Sequence, residues 1–400
     1  MMVSLKTSLA YEAEEVASRS LKIMHSRGSF VTPIRALKAK GVESLEIDER
    51  ELRGVVEVYA SFTLSKLENA RQNVIREQTI ERGLQSASAK AYDNEAVIVI
   101  PNVEAIGPQT SISNPEKIGE YVAELIAIRR ADLVFSPMFY RVNEKYILEI
   151  LDGFLNAAST LSKPVALTIP YVSKQVREEV TEKFLKKSNI YNNLILNFIC
   201  VDYYGSNPIT KYTHHNFALK LSKTLERQIN EPVVLYGANI KYSRVIHKYE
   251  EIPARDLASP FAGIDIVGPN HRRPIVSRQI APLLKQEKKI ISPTKYTYMA
   301  VNKSLRERNT LPELNEGKIT ASILLKAMEN PIKLDRVIEA YNAEKTAIEL
   351  YNIRNIFKRQ ENIKQYLYNK HGIKTDQKTR EQLEKYHKLI SQYRKTMKLS

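Results

Sequence analysis

Asp202, Glu104 and His271 are acid and base side chains that stand at or just after the ends of apolar runs in this 400-residue chain. A carboxylate and an imidazole of this kind can move a proton, or the carboxylate can act as a nucleophile, if they reach one cavity. Asp202 is the best placed, since it follows the run LILNFICV directly and precedes two tyrosines; Glu104 is its one candidate carboxylate partner. The other runs also end in polar groups: Asn102; Ser136, Tyr140 and Arg141; Tyr171; Tyr203 and Tyr204; Tyr236, Asn239 and Lys241; and Asn270, Arg272 and Arg273. Tyrosines beside cations suit a planar ring stacked between aromatics, its phosphates held by Arg and Lys. Tyrosines in such places also cap a core without binding anything. The stretch FAGIDIVGPNHRRP, residues 261–274, joins an apolar run to amide, imidazole and two guanidinium groups.

The elements that must position these residues repeat with a regular beat. Apolar, β-branched runs occupy 96–100, 132–136, 165–169, 194–201, 233–236 and 263–267, and most gaps between them hold a segment of helical period. Asn143, Ser173 and Thr213 are the expected N-caps of three of those helices. Continuous apolar strands alternating with amphipathic helices predict a parallel sheet covered by helices on its outside. Two further runs, 28–34 and 55–62, bring the strand count to eight, which closes a (β/α)8 TIM-like barrel. A doubly wound sheet is the alternative; the barrel is preferred because the chain carries no GxGxxG or P-loop and only 13 glycines. In either fold, function sits where the strands end. Asp265 lies inside its strand, where a buried acid paired with an arginine is expected. Residues 1–290 are read as the barrel and 291–400 as a basic, helical C-terminal extension projecting from it, with residues 275–290 helical and 291–320 irregular.

Charge points to a partner. The net charge is +16, and residues 351–400 hold thirteen Lys and Arg against four Asp and Glu, so an eighth of the chain carries more than half of the excess. Tyrosines and a phenylalanine interleave with those cations. Localised positive charge of this kind implies an anionic partner, RNA or DNA, and makes Arg354, Lys358, Arg359, Lys388, Arg394 and Lys395 candidate phosphate-binding groups beside Arg272, Arg273, Lys241, Tyr203, Tyr204 and Tyr236. The apolar faces of the same helices could also join copies of the chain or a different subunit. No run approaches the length of a spanning helix and mean hydropathy is negative, so a cytoplasmic protein without a membrane partner is expected. The single cysteine, Cys200, rules out an intrachain disulfide and reads as a buried thiol. Adjacent His214 and His215 diverge by about 100° on a helix and cannot share an ion. His247 and His271 lack a metal-binding spacing. No metal or cofactor is expected.

The order of features resembles the tRNA-guanine transglycosylases over about residues 27–275. RGSFVTPIRAL (27–37) is similar to that family's opening strand and VYASFTL to the segment after it; NFICVDYYG (197–205) falls at its base-recognition strand, PVVLYGANIKYSR at the strand that follows, and SPFAGIDIVGPNHRRP at its Gly-x-Asp strand with an arginine-containing loop. The resemblance implies a TIM barrel that handles RNA. It also implies a nucleophilic aspartate near Gly268 and a general-base aspartate near Pro101 or Asn102, and neither place holds an acid. The family's cysteine-rich zinc site is missing as well. The chain is therefore expected to bind nucleic acid without exchanging bases, the alternative being a nucleotide- or nucleic-acid-modifying enzyme that uses Asp202, Glu104 and His271.

Overall fold

The computed structural model describes residues 5–40, 47–105, 112–241, 251–272, 288–307 and 311–397. The chain opens with a small antiparallel sheet, β1 (Lys6–Glu12), β2 (Arg19–His25) and β3 (Gly28–Val31). Most later strands build the principal sheet: β4 (Ile34–Arg35), β5 (Leu37–Lys38), β6 (Val55–Thr63), β7 (Ala96–Glu104), β8 (Leu133–Phe135), β9 (Met138–Tyr140), β10 (Val165–Ile169), β11 (Leu194–Ser206) and β12 (Val234–Ile240). β13 (Glu251–Pro253) lies outside it, and β14 (Ile266–Val267) returns to it. Nine of these strands run in the order β4-β14-β12-β11-β10-β8-β7-β6-β5, every neighbouring pair parallel, while β9 adds to β7. The two ends of this path, β4 and β5, are separated by Ala36 alone, whose N–H bonds the Val267 carbonyl at 3.0 Å. The sheet is a nearly closed parallel barrel.

Alternation along each strand divides the core in two. Ile98, Ile100, Phe198, Cys200, Val234 and Tyr236 face inward, joined from below by Leu21, Ile23 and Phe30 of the N-terminal sheet. That sheet caps the barrel where the strands begin: Thr7 donates to the Pro232 carbonyl, and Arg27 to the Glu95 carbonyl and the Asp132 carboxylate. Val97, Val99, Ile199, Val201 and Leu235 face outward against the helices. These are α1 (Leu64–Arg71), α2 (Val74–Ser88), α3 (Pro115–Leu125), α4 (Glu144–Ala158), α5 (Lys174–Ser188) and α6 (Tyr212–Ile229). Asn143 and Ser173 cap α4 and α5 as expected. Thr213 does not cap α6, which begins one residue earlier with Lys211 before it and no side-chain cap.

Several other expectations are corrected. The run 28–34 is not one barrel strand: residues 28–31 pair antiparallel with β2, and the barrel strand begins at Ile34. The run 263–267 contributes only Ile266 and Val267, because Gly263, at φ +96°, ends a 3-10 turn over Ser259–Ala262. Residues 291–320 are not all irregular, since β15 (Lys289–Ser292) and β16 (Thr297–Ala300) form a third sheet with β13, followed by α7 (Val301–Arg306). Of residues 275–290, expected as helix, 275–287 lie outside the described residues and Lys289–Ile290 are strand.

The C-terminal helices are α8 (Ala321–Ala327), α9 (Pro331–Arg359), α10 (Ile363–Tyr368), α11 (His371–Thr375) and α12 (Gln377–Met397). They lie against the barrel instead of projecting from it. Ala343 and Ala347 of α9 pack on Leu37 and Leu52, and Arg354 donates to the Pro33 and Glu51 carbonyls at 2.8 and 2.6 Å. On α12, Leu383, Tyr386 and Ile390 are buried, and the Tyr386 hydroxyl donates to the Pro208 carbonyl at 2.8 Å. Among the described residues no helix is long and apolar enough to cross a membrane.

Two predictions test this packing. α3 and α4 cross backbone to backbone: a Cβ at Gly119 would lie 1.9 Å from the Ile150 carbonyl oxygen, and one at Gly153 would lie 1.9 Å from that of Glu116. Gly119→Ala should therefore destabilise the fold by about 1–3 kcal/mol or more, read as a lower urea midpoint; an unchanged midpoint contradicts the crossing. The second concerns α6. His215 sits between the Tyr203 hydroxyl (2.5 Å) and the Ala262 carbonyl (2.7 Å), and His214 Nδ1 lies 3.2 Å from the Arg177 guanidinium, a donor that a protonated ring could not accept. Burial pulls the pKa of His215 down to about 3 and that of His214, also repelled by Arg177, to about 4. An imidazole in the unfolded chain titrates near pH 6.5, so the unfolded state takes up the protons first and stability, complete above about 6.5, is lost as pH falls toward 4 and 3. Tm should rise between pH 4.5 and 6.5, and His214→Gln should flatten that rise; an equal slope in the variant contradicts the assignment.

Candidate functional site

The residues at the strand C-terminal ends form the mouth of the barrel, and period two decides which of them enter it. On β11, Phe198, Cys200 and Asp202 point inward, whereas Val201 and Tyr203 point to the helices. On β6 the inward residues are Val55, Glu57 and Tyr59. Burial pushes the Cys200 thiol well up, in keeping with an inert interior cysteine.

Asp202 is fully buried and fully engaged. Its Oδ1 accepts the Tyr204 backbone N–H at 2.9 Å and the Asn239 amide at 2.8 Å, and its Oδ2 accepts from Arg272 NH2 at 3.0 Å. Asn239 Oδ1 in turn accepts the backbone N–H of His271 at 3.1 Å. The His271 ring stacks flat on Tyr59, with centroids 4.0 Å apart and planes 4° apart, and its Nε2 meets the buried Glu57 carboxylate, which also accepts from the Tyr236 hydroxyl. Burial, reinforced by Asp202, raises the Tyr59 pKa and keeps its phenol neutral. Burial works against the charge of Arg272, but the Asp202 carboxylate prevails and its pKa is raised. One continuous array, Glu57–His271–Asn239–Asp202–Arg272, thus crosses the mouth.

Above it lies a second layer. Arg272 sits 4.4 Å from the Tyr140 ring centroid and 5.4 Å from that of Tyr204; Tyr204 lies 5.2 Å from Tyr140 and stacks on Tyr171 at 5.5 Å, planes 25° apart. Lys211 Nζ donates to the Tyr171 hydroxyl at 2.6 Å. Tyr204 adopts φ +54°, a left-handed conformation that costs a non-glycine residue about 1–2 kcal/mol. The bond from its N–H to Asp202 holds that bend, so the same carboxylate fixes the aromatic layer.

The candidate residues divide accordingly. Asp202, His271, Arg272, Tyr204, Tyr236 and Asn239 meet at the mouth. Glu104 stays at the rim, where Ser61 donates to it at 3.3 Å, and it touches neither Asp202 nor His271. Tyr203 is buried on the outer face against His215, and Tyr236 is buried inside on Glu57, so neither ring is open to a nucleic acid. Lys241 continues β12 through its N–H to Ser206. Arg354 and Arg394 tie helices to the barrel, Arg394 donating to the Ala13 carbonyl at 2.6 Å. Lys358, Arg359, Lys388 and Lys395 are exposed. Arg273 and His247 lie outside the described residues. Asp265 is the buried acid expected, paired with Arg19 through two bonds of 3.0 Å. Sequence reading missed Glu57 and Tyr59. The signal that could have found them was an acid inside the otherwise apolar run VVEVYASF, on the parity of Tyr59. Among the described residues no group of three or more His, Cys, Asp and Glu is placed to hold a metal ion.

Removing one partner of a buried ion pair leaves an uncompensated charge and costs about 3–5 kcal/mol. Arg272→Met should lower stability by that order at pH 7, and adding Asp202→Asn should restore part of it. Urea denaturation of the two single variants and the double one checks this; a double variant as unstable as the sum of the two single ones would mean that the pair is not coupled.

No family model matches the chain and no curated protein matches it, so its functional reading rests on the geometry of this mouth.

Proposed function

We propose that this protein is a nucleic-acid-binding barrel of the (β/α)8 type, akin to the tRNA-guanine transglycosylases, that works in the cytoplasm without their base-exchange activity. Counting β4 and β5 as one strand interrupted at Ala36 supports the eightfold arrangement. The observation that carries the binding role is the aromatic layer at the mouth, in which Tyr171 and Tyr204 stack with a cation at each end, Lys211 and Arg272. Tyr171 stays 36% exposed, so an unpaired base can extend the stack while Lys and Arg meet its phosphates. The exposed Lys358, Arg359, Lys388 and Lys395 add phosphate binding without sequence preference.

The surroundings of Gly268 support the part of this reading that leaves out base exchange. A Cβ there would fall 2.8 Å from the Gly237 carbonyl oxygen and 2.8 Å from the Tyr236 ring. The position that the resemblance assigns to the nucleophile therefore lacks both a carboxylate and the space for one. A second reading, an enzyme acting on a nucleotide or nucleic acid, is favoured by the nearness of Asp202 to His271, whose backbone N–H is held by the same Asn239 that donates to the carboxylate. In that reading a substrate displaces Arg272 and frees Asp202 as a base.

Single-stranded RNA binding, titrated at several salt concentrations, tests the proposal. Tyr171→Ala should weaken binding by about 1–3 kcal/mol with the salt dependence unchanged. Neutralising Lys358, Arg359, Lys388 and Lys395 to Gln should make the log–log salt slope shallower by about 0.7 for each phosphate no longer neutralised. Point substitutions are required, because truncation at residue 351 would remove the buried Phe357, Leu383 and Tyr386. Affinity insensitive to Tyr171 sinks the stacking role, and incorporation of labelled guanine into tRNA above a no-enzyme control revives the enzyme.

A further inference from the structure

Arg177, in the first turn of α5, is only 6% exposed, and no carboxylate among the described residues pairs with it. Its guanidinium lies over the Phe217 ring at 4.7 Å, and its NH1 meets His214 Nδ1 at 3.2 Å. Both of these partners are neutral, since burial and Arg177 itself hold the His214 imidazole uncharged. The Arg177 Nε is buried with no acceptor at all. Other buried arginines are answered by acids: Arg19 bonds Asp265, Arg53 bonds Glu95 and Arg272 bonds Asp202. Glu178, the next residue, is exposed and stands 3.9 Å from Lys174. Burial lowers the Arg177 pKa in spite of Glu178 and the Tyr171 phenol. An unanswered charge in such a place destabilises a fold.

What surrounds Arg177 adds to its charge. The His214 ring, in the first turn of α6, meets the Tyr171 ring edge-on at 5.4 Å. Lys211, the residue before α6, donates to the Tyr171 hydroxyl and holds its ammonium 4.1 Å from the centre of that ring. No side chain caps α6, a helix of 18 residues, so its first N–H groups and its dipole favour an anion. Glu144 reaches the same loop, but it accepts the Ser173 N–H at 2.7 Å. Two cations and an uncapped helix start therefore stand on the outer side of Tyr171.

We propose that Arg177, Lys211 and the first turn of α6 bind a phosphate monoester, carried by a nucleotide whose base stacks on Tyr171. A monoester dianion matches the two cations, whereas an internal phosphodiester brings a single charge. A bound dianion also gives the buried guanidinium the counter-charge that the chain withholds. The identity of the carrier rests on the stacking role proposed above; the phosphate contact itself does not.

Arg177→Gln removes the charge and keeps an N–H donor for His214. In phosphate-free buffer its Tm should equal or exceed that of the unaltered protein. Inorganic phosphate, compared with sodium chloride at matched ionic strength, should raise the Tm of the unaltered protein and leave that of the variant where it was. In isothermal titration, adenosine 5′-monophosphate should bind more tightly than either phosphate or adenosine, and about tenfold more weakly to Arg177→Gln. Lys211→Gln, at a partly exposed side chain, should weaken the same binding. Tyr171→Ala should remove the advantage of the nucleotide over phosphate and keep the phosphate-induced rise in Tm. A Tm that phosphate does not move, or moves equally in Arg177→Gln, overturns the phosphate subsite. A marked loss of stability in Arg177→Gln would make the guanidinium a structural group and overturn it too. Phosphate binding without any gain from the nucleoside overturns the nucleotide as carrier, and with it the stack on Tyr171, while the subsite stands.

Discussion

The mouth of this barrel is organised by one desolvated carboxylate. Asp202 is fully buried inside a largely apolar barrel, where an unpaired charge would be strongly destabilising. Three donors from three chain segments answer it: the Tyr204 backbone from its own strand, the Asn239 amide from β12, and Arg272 from beyond β14. Each donor then fixes something else. The Tyr204 N–H bond stabilises the left-handed bend that turns its ring toward Tyr171. Asn239, itself at φ +54°, passes the constraint to His271. Arg272, held from below, becomes the floor on which Tyr140 and Tyr204 rest.

The alternation of apolar runs and amphipathic segments was legible because parallel strands buried on both faces need unbroken β-branched sequence. The short closing strands were not. Ile34–Lys38 and Ile266–Val267 are too brief to show a period, and both lie beside turns whose residues extend the apolar run past the end of the strand. At the site, residue type was readable and direction was not. Asp202, Tyr203 and Tyr204 are consecutive, yet one faces the barrel interior, the next the outer helices, and the third the mouth. Applying period two to β11 separates the first two, while the left-handed bend at Tyr204 leaves no trace in its neighbours. Glu57 was passed over because an acid inside an apolar run resembles a solvated strand position until Tyr236 and His271 are seen to meet it.

The C-terminal helices show how charge counting and patterning address different faces of one element. Residues 351–400 are strongly basic, but their apolar positions serve as barrel wall: α9 packs on β4 and on Leu37 of β5, and α12 covers the 3-10 turn before β14. Of the cations there, Arg354 is inserted between barrel carbonyls, and burial lowers its pKa to about 10. Lys358 and Lys388 stay outside. A basic segment is thus a mixture of structural and outward-facing charge, which only the packing can sort.

The same reasoning bears on how far this barrel stands from base exchange under the proposed kinship. If a nucleophile were lost by substitution alone, restoring one carboxylate at position 268 would suffice. The surroundings argue against that. The Tyr236 ring occupies the space beside Gly268, and its hydroxyl is anchored by Glu57, which also holds His271 on Tyr59. Moving the ring would strip a donor from a buried carboxylate, and removing the carboxylate would release the histidine stack. Position 268, Tyr236, Glu57 and His271 form one packing unit, so an aspartate there demands coordinated change at two or more of them. The interior of the mouth is built around the glycine, and the polar groups left facing outward are those to which the proposed binding role is assigned.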